Sequence, residues 1–225
     1  MKKKAHVVFL AMSVFVFLVT GCVQEQETTT SQKITNSSIE KDEDIQEVNT
    51  LEPKSNNISL GVLNEGKYTN PYFGLIVSIP DEWVDITMEE KLEKSGVTNE
   101  ESLTDADEVY GFEVSSSSEL ADVIFAFSEV NISQNITAED YANYLKDIYA
   151  ELYGECSEIE TIEINGIPYS YFSLKDNTEG SILCSDVYCV IRNGYALEFT
   201  SEYYEDEIDD IKDVENLINS ISFTP

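Results

Sequence analysis

Two Asn-Gly pairs, Asn165-Gly166 and Asn193-Gly194, constrain this chain more than any other feature. Each lies between runs rich in β-branched and aromatic residues. A two-residue type I′ turn needs positive φ at both central positions, and Asn-Gly meets that need with the least strain. The flanks predict two hairpins, Ile159–Ile164 with Ile167–Leu174 and Ile182–Arg192 with Tyr195–Ser201. In the last of these strands Tyr195, Leu197 and Phe199 share one face, while Ala196, Glu198 and Thr200 point away from it.

The segments around the hairpins complete an α+β pattern. Phe73–Ile79 reads as a strand stopped by Pro80, and Trp83 follows it as a core anchor. Met88–Lys94 reads as a short acidic helix, and Val109–Val114 and Val123–Val130 as strands joined through the Ser115–Ser118 run. Thr137 with Asp140 resembles a capping box. It opens a helix with Tyr141, Tyr144, Leu145, Ile148 and Leu152 on one face and Gly154 as its stop. A last helix spans about Glu205 to Ser220, with Ile208, Ile211, Val214, Leu217 and Ile218 inward. Glu205, Asp206, Glu207, Asp209 and Asp210 fit its N-terminal turn, where the helix dipole favours acids. Hairpins with separate helices predict an antiparallel sheet flanked by helices.

The N-terminus reads differently. Lys2, Lys3 and Lys4 precede an apolar run from Val7 to Val19, and Thr20 and Gly21 precede Cys22. The run is shorter than the ~20 residues a membrane-spanning helix needs, so residues 1–21 read as a cleavable signal. Val19-Thr20-Gly21-Cys22 resembles the bacterial lipobox, with Val for the usual Leu and Thr for the usual Ala or Ser. The resemblance implies a diacylglyceryl thioether on Cys22, anchoring the mature chain in the cell membrane from the extracytoplasmic side. Each buried CH₂ of such chains contributes about 0.8 kcal/mol.

Residues 22–63 carry the lipidated cysteine and a linker rich in Ser, Thr, Gln and Glu, with no aromatic between Phe17 and Tyr68. Such a composition buries too little apolar surface to offset ordering entropy, so it predicts a disordered stalk. About 40 flexible residues give an r.m.s. reach of roughly 35 Å. Residues 64–225 are then one folded domain. Without the three leader lysines, 44 acidic residues face 10 basic ones, a net charge of −34. That balance excludes nucleic acid as a partner, because phosphates are held by Lys and Arg. It also leaves the acyl chains as the contact with the lipid bilayer. The charge suits solubility, or a partner that is cationic or carries divalent cations.

Gly66-Lys67-Tyr68-Thr69-Asn70, Tyr72-Phe73-Gly74-Leu75, Ile79-Pro80 and Trp83 resemble the opening of the PsbP/Mog-like domains of Firmicutes lipoproteins. Ile164-Asn165-Gly166, Asn193-Gly194-Tyr195 and Ile218-Asn219-Ser220-Ile221-Ser222-Phe223 fit the same layout. The resemblance covers residues 65–225 and implies an α/β/α sandwich around an antiparallel sheet. It transfers no ligand-binding residue and no activity.

The chemistry is sparse. The only histidine, His6, leaves with the signal, which excludes His-assisted nucleophiles in the mature chain. Arg192 is the only arginine, and no phosphate-binding glycine motif occurs. No catalytic residue and no cofactor site stand out. Cys156, Cys184 and Cys189 have no zinc-knuckle spacing. Cys184 and Cys189 point to opposite faces of one strand, which leaves either three thiols or one bridge through Cys156. Asp176, Thr178 and Glu179, before Gly180, resemble part of a Ca²⁺ loop and are the metal candidates, against a plain solvated turn.

Two function classes remain: a non-enzymatic module binding a protein or envelope partner, and a hydrolytic or other enzyme working through carboxylates or a Ser/Lys pair. Converging carboxylates in a deep pocket would support the enzyme, and an aromatic-lined face the binder. Tyr203 and Tyr204 are adjacent in a strand, so at least one is expected to be exposed, and both are candidates for partner binding.

Overall fold

The computed structural model describes residues 58–130, 135–177 and 180–224. The expected signal, Cys22 and most of the expected stalk lie outside the described residues. The elements are β1 (Val62–Asn64), β2 (Lys67–Asn70), β3 (Leu75–Ser78), β4 (Val84–Asp85), α1 (Met88–Lys94), a 3₁₀ turn (Glu100–Asp105), β5 (Val109–Ser115), β6 (Ala121–Glu129), α2 (Ala138–Tyr153), β7 (Glu160–Ile164), β8 (Ile167–Asp176), β9 (Leu183–Arg192), β10 (Tyr195–Tyr204), α3 (Ile208–Ser220) and β11 (Ser222–Phe223). The fold is α+β, with antiparallel sheets flanked by helices.

Both hairpins form as the turn chemistry requires. Asn165 and Gly166 have φ of 50° and 78°, and Asn193 and Gly194 have 52° and 84°. The closing pairs are Ile164 with Ile167 and Arg192 with Tyr195. The asparagine side chains also fasten the turns to the rest of the molecule. Asn165 donates to the carbonyls of Asn219 and Ile221, both at 2.8 Å, and Asn193 to that of Tyr72 at 2.7 Å.

Seven strands form one sheet in the order β4-β5-β6-β10-β9-β8-β7, and four short ones form a second, β1-β2-β3-β11. The small sheet is the main addition to the expected layout. Only β3 was expected, within Phe73–Ile79; β1, β2 and β11 have two to four residues, too short to leave an alternating pattern in the sequence. It packs with α3 on one face of the large sheet, around Tyr68, Phe73, Phe112, Phe125, Phe127 and Phe199. Arg192 ties the layers together: its Nε donates to the Phe73 carbonyl at 2.8 Å, and its guanidinium lies 4.3 Å from the Phe223 ring centre. The other face meets α2 over a second core of Ala142, Leu145, Phe172, Leu174, Val187 and Cys189.

Three local expectations shift. The packed chain reaches back beyond Asn64, because Ile58 and Leu60 belong to the core. The buried seam of α2 runs through Ala142 and Leu145 toward Tyr149 and Tyr153, while Tyr144 and Leu152 are exposed. Tyrosines at 149 and 153 can bury their rings and still point a hydroxyl at polar groups, so an apolar-only count misses them. Ile208, at the start of α3, is exposed.

Gly111 sits at the register shift between β5 and β6. A Cβ there would stand 2.4 Å from the Phe125 ring and 2.7 Å from the Tyr68 hydroxyl. Both neighbours are fully buried, so neither can move aside cheaply. Gly111→Ala is expected to cost about 2 kcal/mol, measured by urea denaturation. An unchanged midpoint would mean that the aromatic layer yields.

Candidate functional site

The small sheet and α3 do not cover the whole of the large sheet. Toward β7, β8 and β9 the uncovered face forms a groove with the strands as floor and α3 as wall. By register, Tyr171 lies opposite Tyr188, Asp186 lies between Ser173 and Ser201, and Tyr203 lies opposite Cys184. Cross-strand partners share a face, so these side chains line one surface. Ile211, Val214 and Ile218 of α3 close its side. Two adjoining cavities of about 330 and 220 Å³ occupy the groove, and Asp186, Tyr203 and Ile211 line both.

Asp186 organises this surface. Its Oδ1 accepts from the Tyr171 hydroxyl at 2.7 Å and its Oδ2 from the Tyr203 hydroxyl at 2.8 Å. Burial pushes the Tyr171 phenol up to about 12, with the Asp186 carboxylate adding to the rise. Burial and then Asp186 push the phenols of Tyr203 and Tyr188 higher still. All three therefore stay protonated at physiological pH. The Tyr171 and Tyr188 ring centres are 5.2 Å apart. At one rim Lys175 is held by Glu205 at 2.6 Å, and Glu163 and Glu215 line the far cavity. Of the two tyrosines expected from the sequence, Tyr203 lies in this groove and Tyr204 does not line it; both are half-buried.

A second polar cluster lies on the opposite face, beneath α2. Glu202 of β10 pairs directly with Asp122 of β6, and Glu198 lies four residues away on the same side. Glu198 Oε1 accepts from Thr200 at 2.9 Å and lies 3.5 Å from the Tyr149 hydroxyl. Glu198 Oε2 and Asp122 Oδ1 are buried without a hydrogen-bond partner. Burial, reinforced by Glu108, pushes the Glu198 carboxyl up to about 8, the hydroxyl contacts offsetting part of the rise. Burial pushes Glu202 up to about 7, the Ser185 hydroxyl opposing and Glu113 adding. Asp122 is raised well above its ordinary range by burial and then by Glu202. Sequence alternation placed Glu198 and Thr200 away from the first core correctly; α2 then buries that second face too. Ala196 and Cys189 beside them were the signal, small residues where solvent-facing strands usually carry longer polar ones.

Cys156, Cys184 and Cys189 are thiols, and burial raises each. Asp176 ends β8 opposite Leu183, while Thr178 and Glu179 lie outside the described residues. Among the described residues no three acidic or sulfur side chains converge as a metal site, and no helix is long and apolar enough to cross a membrane. Lys91, Lys94, Lys146 and Lys175 are ion-paired with Asp85, Glu113, Glu158 and Glu205, engaging four of the lysines a Ser/Lys mechanism could use.

No protein-family model matches the chain, and no curated protein is significantly similar to it in sequence. Several solved structures share part of its fold. The solution structure of cyanobacterial PsbP (CyanoP) from Synechocystis sp. PCC 6803 is 15% identical with a TM-score of 0.42, over 70% of this chain and 91% of that one. LpqN, involved in cell envelope biogenesis of Mycobacterium tuberculosis, is 10% identical with a TM-score of 0.46, over 67% and 83%. A crystal structure from Bacteroides thetaiotaomicron VPI-5482 is 10% identical with a TM-score of 0.41, over 68% of this chain and 46% of that one. This chain thus spans less than half of the Bacteroides protein. The fold class rests on the strands, registers and helices described above.

Proposed function

We propose that the chain is an extracytoplasmic lipoprotein, held in the cell membrane through an acylated Cys22, that serves as a non-enzymatic binding module of the cell envelope. The observation that carries the binding role is the groove of Tyr171, Asp186, Tyr188 and Tyr203. Its carboxylate has both oxygens engaged by tyrosine hydroxyls, an arrangement that presents a shaped surface rather than a nucleophile or a free general base. Rigid tyrosines are good contact residues because they combine a large apolar area with one polar tip. The anchoring part rests on Val19-Thr20-Gly21-Cys22 after a basic and apolar leader. The Ser/Thr/Glu-rich stretch that follows is the tether that lets the groove reach its partner.

The test of anchoring is Cys22→Ala in the producing cell. The variant is expected to lose at least nine-tenths of its membrane-bound fraction, or to persist as unprocessed precursor, on fractionation and blotting. Processing and membrane retention at the original level would overturn it.

A further inference from the structure

We infer that the groove takes a basic side chain, a lysine or arginine presented by a partner polypeptide, with its cationic head at Asp186 among Tyr171, Tyr188 and Tyr203. This rests on the binding-module reading and names the chemistry of the partner.

The electrostatics select a cation. Asp186 stands at the centre of the groove, and its two hydrogen bonds fix its orientation while each oxygen keeps a further lone pair. Three tyrosine rings surround it, and their faces attract a cation within about 6 Å. Glu163, Glu205 and Glu215 line the same two cavities, and Lys175, the one lysine lining them, is paired with Glu205. An anion would meet carboxylates and find the Tyr171 and Tyr203 hydroxyl protons already given to Asp186. A chain of net charge −31 also draws cationic partners toward this face.

The shape selects a polypeptide over a small amine. The acid lies where the two cavities join, with apolar Ile162, Ile164, Val214 and Ile218 in the one beyond it. A small ammonium ion at Asp186 would leave the apolar end empty. An extended peptide can set a basic head on Asp186, lay its methylene stem along the rings, and fill the far cavity with a neighbouring apolar residue.

The test uses the mature chain with Cys22→Ser, its tyrosine rings ¹³C-labelled, at 150 mM NaCl. The probe is the peptide acetyl-Leu-Ala-Arg-Ala-Lys-amide, compared with acetyl-Leu-Ala-Glu-Ala-Glu-amide and with free arginine amide. Saturable shifts are expected at Tyr171, Tyr188 and Tyr203 with the basic peptide alone. Asp186→Asn should weaken that binding at least tenfold and Tyr188→Leu about fivefold, while Glu155→Gln, an exposed acid outside the groove, changes it less than twofold. Tyr188→Leu leaves the Asp186 hydrogen bonds in place, so it reports even if Asp186→Asn unfolds. The proposal fails if the basic peptide gives no saturable shift, or if the acidic peptide shifts the same rings. It also fails if Glu155→Gln weakens binding as much as Asp186→Asn, which would mean diffuse attraction. Equal affinity for arginine amide would overturn the polypeptide assignment in favour of a small organic cation. Because the titration is done free of membrane, its failure is separate from a failure of anchoring.

Discussion

A chain that begins at Asn64 is expected to melt about 10–20 °C below one that begins at Asn57. The seven residues between these starts include Ile58, 9% exposed, and Leu60, 1% exposed. Burying two such side chains contributes about 1.5–3 kcal/mol each. Their backbone also serves as an acceptor surface: the Tyr68 hydroxyl donates to the Leu60 carbonyl at 2.6 Å, and Asn70 Nδ2 to the Ser59 carbonyl at 2.8 Å. Tyr68 and Asn70 are fully buried, so deleting their acceptors leaves unpaired polar groups, at about 1 kcal/mol or more each. Gly61 shows how tightly the segment is seated. It has φ of +76°, and a Cβ on it would lie 2.5 Å from the Tyr68 hydroxyl. The loss adds to about 5 kcal/mol, and a domain of this size loses about 2–4 °C per kcal/mol. Differential scanning calorimetry of the two chains decides it, and Leu60→Ala in the longer chain should show about half of the loss. Transitions within 2–3 °C of each other would mean that Ile58 and Leu60 contribute nothing to the core, and that the domain begins where the change of composition puts it.

That boundary illustrates what the sequence made legible. Elements with a clear period or a turn signal were readable: both Asn-Gly hairpins, the long helix opened by Thr137 and Asp140, and β3 within the expected strand Phe73–Ile79 before Pro80. The other strands of the small sheet were not, because two to four residues cannot display a period. Ile58 and Leu60 were lost for a related reason. They belong to the short alternation Ile58-Ser59-Leu60-Gly61-Val62, which directly follows the polar stretch that set the boundary, and only the Tyr68 layer they cover reveals their role. Of the candidate site, Tyr203 was found through a local argument about adjacent strand residues. Its partners Tyr171, Asp186 and Tyr188 come from two other strands, and only the register of β8, β9 and β10 assembles them. The buried acids escaped because an alternating pattern tells which side a residue faces, not whether a helix covers that side.

The two polar features lie on opposite faces of the large sheet and share β10. On the α3 face, Asp186 is doubly hydrogen-bonded and open to a groove. On the α2 face, Glu198 and Glu202 are buried, and their neighbours add negative potential instead of relieving it. A carboxylate used for recognition gains from the first setting. The second setting makes ionisation costly and couples the fold to pH.

Folding stability is therefore expected to fall by about 6 kcal/mol between pH 5 and pH 8, and Glu198→Gln to remove roughly half of that loss. The sign follows from the direction of the shifts. Glu198 is raised from an ordinary 4.5 to about 8 and Glu202 to about 7. An acid raised in the folded state holds its proton more tightly there than in the unfolded chain. Its contribution is full below about 4.5 and is lost as pH climbs through 7 to 8, where the folded protein must bury a charge or give up its packing. The groups facing these acids do not relieve that charge. Glu108 and Cys189 lie toward Glu198, and Asp122 and Glu113 toward Glu202. The hydroxyls of Thr200, Tyr149 and Ser185 offer only partial compensation. Lys94, the nearby cation, is already paired with Glu113 and lies 5.6 Å from the Tyr110 ring centre. The general repulsion of a net charge of −31 also grows with pH, so the wild-type slope alone is not diagnostic. Glu198→Gln keeps the shape and stays neutral, and should melt about 10 °C above the parent at pH 8 and within 2 °C of it at pH 5. Glu155→Gln, an exposed acid, removes the same formal charge and should leave the slope as it is. If Glu198→Gln lowers stability at pH 8, or if the two variants flatten the slope equally, Glu198 is ionised in the folded protein and the pH dependence belongs to the surface charge.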